Sequence, residues 1–223
     1  QDYWGMSRDA FHSVHRQMPL THAEKYKLRI IWYWYPLYCL GGISFLAFII
    51  LVITGSILGL YYVPGGEGDP TPAYSSMEFI MTTLPFGYII RSIHHWTTHF
   101  MVAAVFLHMC RVYFTGAYRN PRELNWLIGV ALMFFVIFFG YSGYLLPWDS
   151  LAFGAATIGI NMATATPLIG DWMANALFAG TTLSGQTVTR MYFLHVFILP
   201  VLVTTLILIH LFIVWVQGIA EPH

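Results

Sequence analysis

Charge is what this chain has least of. Asp, Glu, Lys and Arg make up 9% of its 223 residues, against roughly 25% in soluble globular domains. A water-facing surface cannot be built from so little, which excludes an ordinary soluble enzyme. Basic and acidic residues balance at ten each, so no basic footprint for nucleic acid is present. Cysteine is nearly absent too. Cys39 and Cys110 are the only two, which excludes a disulfide scaffold. Residues 1–28 lack the apolar core of a signal peptide. Hydrophobic residues, by contrast, reach 57% and aromatics 17%, with a mean hydropathy of +0.63. These numbers belong to an integral membrane protein.

The pattern along the chain predicts an all-α membrane bundle. Residues 1–36 hold Arg8, Arg16, Lys25, Lys27 and Arg29 and end in a Trp/Tyr-rich run, as an amphipathic surface helix does where it meets the membrane interface. Apolar runs at 39–62, 88–114, 126–146 and 191–216 are each long enough to cross a bilayer, at about 20 residues per span. Together, 37–218 form a four-span domain, and 219–223 are a tail. The turn chemistry of VPGGEGDPTP reads 63–85 as a loop. The excursion 148–187 carries a helix over 151–165 lying in the interface. The N-terminal arm and the connection holding Arg119 and Arg122 are basic, whereas the loops with Glu67, Asp69 and Glu78 and with Asp149 and Asp171 are not. This alternation puts both termini on the cytoplasmic, negative side.

Histidines mark the second and fourth spans. His94 and His108 are fourteen residues apart, and His195 and His210 fifteen. Those steps are about 3.9 and 4.2 helical turns, so each pair returns near one face, with about 21–22 Å between its members. The two spans run in the same direction, so His94 pairs with His195 on the positive side and His108 with His210 on the negative side. His95 and His99 compete with His94, but their steps of thirteen and nine to His108 put them off its face. They read instead as packing or hydrogen-bonding residues. Each matched pair of intramembrane imidazoles is also readable as plain hydrogen-bonded packing, but four at matched depths point to metal. With no carboxylate or thiolate beside them, they suit a six-coordinate haem iron.

Gly41 and Gly55 in span one, and Gly129 and Gly143 in span three, repeat the step of fourteen. Glycine lets a backbone approach a flat macrocycle at each level; ordinary small-residue helix packing is the alternative. Arg91 and Arg190 at the positive-side level, and Arg111 at the other, are candidate partners for haem propionates; snorkelling to headgroups is the alternative for each.

Several stretches together resemble one family. They are YCLGG (38–42), RSIHHW (91–96), LHMCRVYFTGAY (107–118), PRELNW (121–126), GYLLPWD (143–149), ATPLIG (165–170) and TRMYFLH (189–195). The chain resembles the split, b6-type cytochrome b of b6f and menaquinol-oxidising Rieske/cytochrome b complexes. The fifteen-residue step and the QGIAEP ending place it in the split branch. The resemblance implies two bis-histidine haem b groups in a four-helix bundle. It also implies a further haem held by one thioether to Cys39, for which a packing role or a Cys39–Cys110 disulfide is the alternative. A quinol pocket would be walled by Leu151, Phe153, Gly154, Ala155 and Ile158. The implied function is a quinol:cytochrome c or plastocyanin oxidoreductase subunit that moves electrons between quinol-oxidising and quinone-reducing sites in a Q-cycle. It would not be catalytically complete alone, because the PEWY-type glutamate lies in the other half of the split protein. The implied partners are that subunit IV-like half, a Rieske iron–sulfur protein, a c-type cytochrome and membrane lipid, in a homodimeric complex of a bacterial energy-transducing or thylakoid membrane.

The chain departs from chloroplast-type members at His95, where they carry Arg, and at Trp215 and Val216, where they carry an Arg-Lys pair. A di-haem membrane anchor of a hydrogenase or formate dehydrogenase is the rival redox reading. A transporter with buried histidines is the rival of another class.

Overall fold

The computed structural model describes residues 37–218, and these are helical almost throughout. The surface helix expected within 1–36 and the tail 219–223 lie outside the described residues. Helix α1 spans Leu40–Gly59, α2 Pro72–Thr82, α3 Gly87–Phe114, α4 Glu123–Tyr144, α5 Ser150–Thr164 and α6 Gly170–Phe178. The last helix, α7, runs continuously over Gly185–Gln217. Helices α1, α4 and α7 are long and apolar enough to cross a membrane. Helix α3 is long enough, at 28 residues, but Arg91, Arg111 and four histidines dilute its apolar character.

The loop expected over 63–85 is corrected by α2. Thr71 is extended and its hydroxyl accepts from the Tyr74 N–H at 3.3 Å, while Pro72 takes the first helical position. Both are helix-start signals that the surrounding Gly and Pro residues obscure. Helix α3 follows after a tight corner. Phe86 is left-handed at φ 61, and a side chain on Gly87 would run into the Ile80 carbonyl. The excursion after Pro147 holds two helices, not one. Asp149 Oδ1 caps α5 by accepting from the Ala152 N–H at 2.9 Å, and α6 follows.

Helices α4 and α7 start earlier than hydropathy alone suggests. Glu123 favours the positive end of the α4 dipole. Ahead of its apolar run, α7 has a polar first turn. There Thr187 Oγ1 accepts from the Ser184 N–H at 3.2 Å and donates to the Phe178 carbonyl at 2.9 Å. Inside α7, Leu194–Ile198 is a π-turn, followed at once by the regular segment Leu199–Gln217 that carries Pro200.

Helix α1 packs chiefly on α3, and α4 on the later part of α7. The core has two parts. One lies at the end of the bundle capped by α2, α5 and α6, and includes Ile80, Leu145, Trp148, Ala156, Val188 and Met191. Tyr62 belongs to it and donates its hydroxyl proton to the Leu146 carbonyl at 2.7 Å. The other part is a layer midway along the bundle, formed by Ala47, Phe48, Leu51, Met101, Val136 and Val203.

Candidate functional site: two imidazole pairs

The four histidines fall at two levels, one on each side of that middle layer. At the upper level, near α2 and α5, the His94 and His195 rings stand 6.4 Å apart between centroids and 74° between planes. At the lower level, His108 and His210 line one cavity of about 300 Å³ together with Arg111, Arg122, Asn125 and Gln217.

Each imidazole is backed by one of the four glycines. A Cβ built on Gly55 would lie 3.0 Å from His94 Cε1, on Gly41 3.2 Å from His108 Cε1, on Gly143 2.5 Å from His195 Cε1 and on Gly129 3.7 Å from His210 Cε1. The glycine spacing thus has a concrete meaning. Each glycine helix lies behind a histidine helix and leaves space for a ring where a side chain would stand. The step of fifteen is also resolved. In regular α-helix, fifteen residues end about 100° further round than fourteen. The π-turn at Leu194–Ile198, which begins one residue before His195, holds one extra residue in its wider turn and brings His210 back to the phase that His108 has on α3.

The two levels differ in how the rings are held. His94 Nδ1 lies 2.9 Å from Thr54 Oγ1. The Thr54 hydroxyl donates its proton to a carbonyl of its own helix, at 2.7 Å to Ile50 or 3.3 Å to Leu51. It can therefore only accept from His94. His195 Nδ1 lies 3.0 Å from the Phe139 carbonyl and 3.1 Å from Ser142 Oγ, and that hydroxyl likewise donates to Phe139, at 2.9 Å. Both upper rings thus carry their proton on Nδ1 and leave Nε2 with a bare lone pair. At the lower level, Nδ1 of His108 and of His210 is buried with no protein acceptor in hydrogen-bond geometry.

This donor set fits a haem iron. Among the described residues, no group of three or more His, Cys, Asp or Glu side chains could hold a metal ion. Two nitrogens are too few for a bare ion, but they complete the coordination of an iron that a macrocycle already holds by four. With metal–imidazole bonds of about 2.0–2.1 Å and each ring centre about 1 Å behind its nitrogen, one iron between two rings needs about 6 Å, close to the observed 6.4 Å. The lower cavity adds polar atoms that lack protein partners: Arg111 Nε, Asn125 Oδ1 and Gln217 Oε1. The Arg111 guanidinium lies 3.8 Å from the Tyr38 ring centroid, so it is held at the cavity wall as a donor for a carboxylate.

His95 and His99 are exposed, with their Nε2 atoms 3.3 Å apart. Arg91 reaches the Met81 sulfur at 3.4 Å. Arg190 donates to the carbonyls of Ala176, at 2.8 Å, and Asn175, at 3.4 Å, near the C-terminal end of α6, where a cation is favoured. Cys39 is a free thiol at the start of α1; its neighbours Tyr38 and Gly41 line the lower cavity, and Cys39 is not among the lining residues. On α5, Leu151, Gly154 and Ile158 share one exposed face, Phe153 packs on Trp148 at 4.6 Å, and the Ala155 carbonyl accepts from Tyr141 at 3.0 Å.

Sequence reasoning missed Thr54 and Ser142. A signal existed: each stands immediately before an upper-level glycine, Gly55 or Gly143, whereas the residues before Gly41 and Gly129 are Leu40 and Ile128.

Comparison with known proteins agrees in extent. The family model described as Cytochrome b/b6/petB matches residues 24–218. The chain is 43% identical to cytochrome b6 of Euglena gracilis over 185 residues, covering 83% of this chain and 84% of that one. It is 40% identical to cytochrome b6 of Heliobacterium mobile, covering 83% and 85%. Among solved structures, a chain of a hyperthermophilic respiratory Complex III superimposes with a TM-score of 0.74 at 32% identity, covering 83% of this chain and 49% of that one. The chain thus spans about half the length of that structural neighbour.

Proposed function

The chain belongs to the cytochrome b/b6 family, and from that premise we propose that it is the haem-binding, electron-transfer subunit of a quinol-oxidising complex, working as an integral membrane protein. The observation that carries this reading is the pair of imidazoles at each of two levels, every ring backed by a glycine. His94 and His195 would hold one haem b, and His108 and His210 the other. When bound, the haem supplies a one-electron carrier. The protein's part is to close both axial positions with imidazole, so that no site remains for oxygen, and to hold the two levels at a fixed separation. Arg111 offers its unpartnered Nε to a propionate.

Four spans are then present with both termini on the negative side, α3 counted among them because His94 and His108 turn toward neighbouring helices and Arg91 and Arg111 are partly buried. Quinol is oxidised at the positive-side level, beside the exposed face of α5, and quinone is reduced on the negative side. The other half of the activity rests with a subunit IV-like chain, a Rieske protein and a c-type cytochrome, in a homodimeric complex. A third haem is held by one thioether to Cys39.

Redox titration of the purified complex tests the assignment. Two b-type centres are expected. His94→Ala should remove the upper one alone, and His108→Ala the lower one alone; loss of the opposite centre in either variant would refute the pairing. Haem staining that survives denaturing electrophoresis should be present in the wild type and absent in Cys39→Ala. A wild type without it would overturn the covalent attachment.

A further inference from the structure

We propose that Thr54 and Ser142 are positioning residues that hold both upper imidazoles as Nδ1–H donors and thereby lower the reduction potential of the upper centre. This rests on His94 and His195 as the axial ligands of one iron.

Each of the two hydroxyls is half-buried or deeper, Ser142 completely and Thr54 to within 8% exposure. Each gives its only proton to its own helix backbone and so presents a lone pair to the imidazole. A ligand N–H donated to an acceptor makes the opposite nitrogen more basic. A more basic axial nitrogen stabilises ferric iron over ferrous and lowers the potential. Neither lower ring has such an acceptor in hydrogen-bond geometry; the Asn125 backbone carbonyl is near His210 without completing one to Nδ1. The sequence encodes the difference in one residue per helix. Thr-Gly and Ser-Gly stand at the upper level, where Leu-Gly and Ile-Gly stand at the lower. With haem bound at both levels, these two hydroxyls would favour the oxidised form of the upper centre, with no bond made and no proton moved.

Anaerobic redox titration of the intact complex, with the two centres separated by their spectra, tests this in Thr54→Val, Ser142→Ala and the double variant. The double variant is expected to raise the upper midpoint until the equilibrium constant for transfer between levels falls about tenfold, equivalent to about 59 mV for one electron. Each single variant should give part of that shift, since backbone carbonyls of Leu51 and Phe139 remain beside the rings. Thr54→Ser keeps the oxygen and should titrate like the wild type. The lower midpoint should not move. An unchanged upper midpoint in variants that hold both centres would overturn the proposal, as would equal shifts at both levels. If the double variant loses its haem, the single variants decide by the same criterion. Failure of the ligation itself is read separately, from an upper centre that survives His94→Ala.

Discussion

Gly143→Ala is expected to remove most of the upper b-type absorbance, while Gly129→Ala leaves the lower centre intact. An added Cβ at 143 would sit 2.5 Å from His195 Cε1 and 3.0 Å from both ring nitrogens, closer than real side chains approach. The ring has nowhere to retreat. Its Nδ1 is tied to Phe139 and Ser142, and the Phe139 ring packs on it at 4.6 Å. The alanine must therefore push His195 out of its place opposite His94. At Gly129 the nearest ring atom is 3.7 Å away, an ordinary van der Waals contact. Four residues that look equivalent in the sequence thus divide into a steep case, two intermediate ones at Gly55 and Gly41, and a permissive one. Absorbance at each level per mole of complex is the measurement. A Gly143→Ala complex with both centres at wild-type occupancy would refute the geometry.

The second large effect comes from the length of α7. One residue inserted between Leu199 and His210 should eliminate the lower centre, because it turns His210 about 100° away from the cavity. One residue deleted from the π-turn, at the exposed Phe197, should spare both centres. The deletion converts the wide turn to regular α-helix and leaves the step between histidines at fourteen, as on α3. Insertion and deletion change the length equally, so opposite outcomes would separate register from general damage. Equal loss in both variants would show that the π-turn does not absorb the extra residue.

Much of this arrangement is readable before folding, because the histidine and glycine periods are set by helix geometry alone. A step of fourteen on one helix matches a step of fourteen on its neighbour whatever the loops do. The π-turn is less legible. A step of fifteen says that a residue must be absorbed, but where it is absorbed depends on tertiary packing around His195. Helix α2 is hidden because Gly65, Gly66, Gly68, Pro70 and Pro72 dominate local propensity, although Thr71 and Pro72 start a helix well. Thr54 and Ser142 disappear in any hydropathy profile, since a hydroxyl that bonds to its own helix costs little in an apolar span. Their meaning emerges only when the ring of another helix is brought to them.

The middle layer of the bundle has an electrical consequence. Ala47, Phe48, Leu51, Met101, Val136 and Val203 contribute no hydroxyl, amide or charge to the space between the two levels. Protons need a chain of polar groups or water to cross such a region, whereas electrons can tunnel through it. The layer therefore acts as the insulator of a capacitor whose plates are the two histidine levels. The separation of the two plates, about 21 Å along the helices, is about two thirds of a hydrocarbon core of about 30 Å. Each electron carried across it works against a matching share of the membrane voltage, out of about 2.3 kcal/mol per 100 mV for a full crossing. A polar side chain placed at Val136 or Val203 would make that insulator leak.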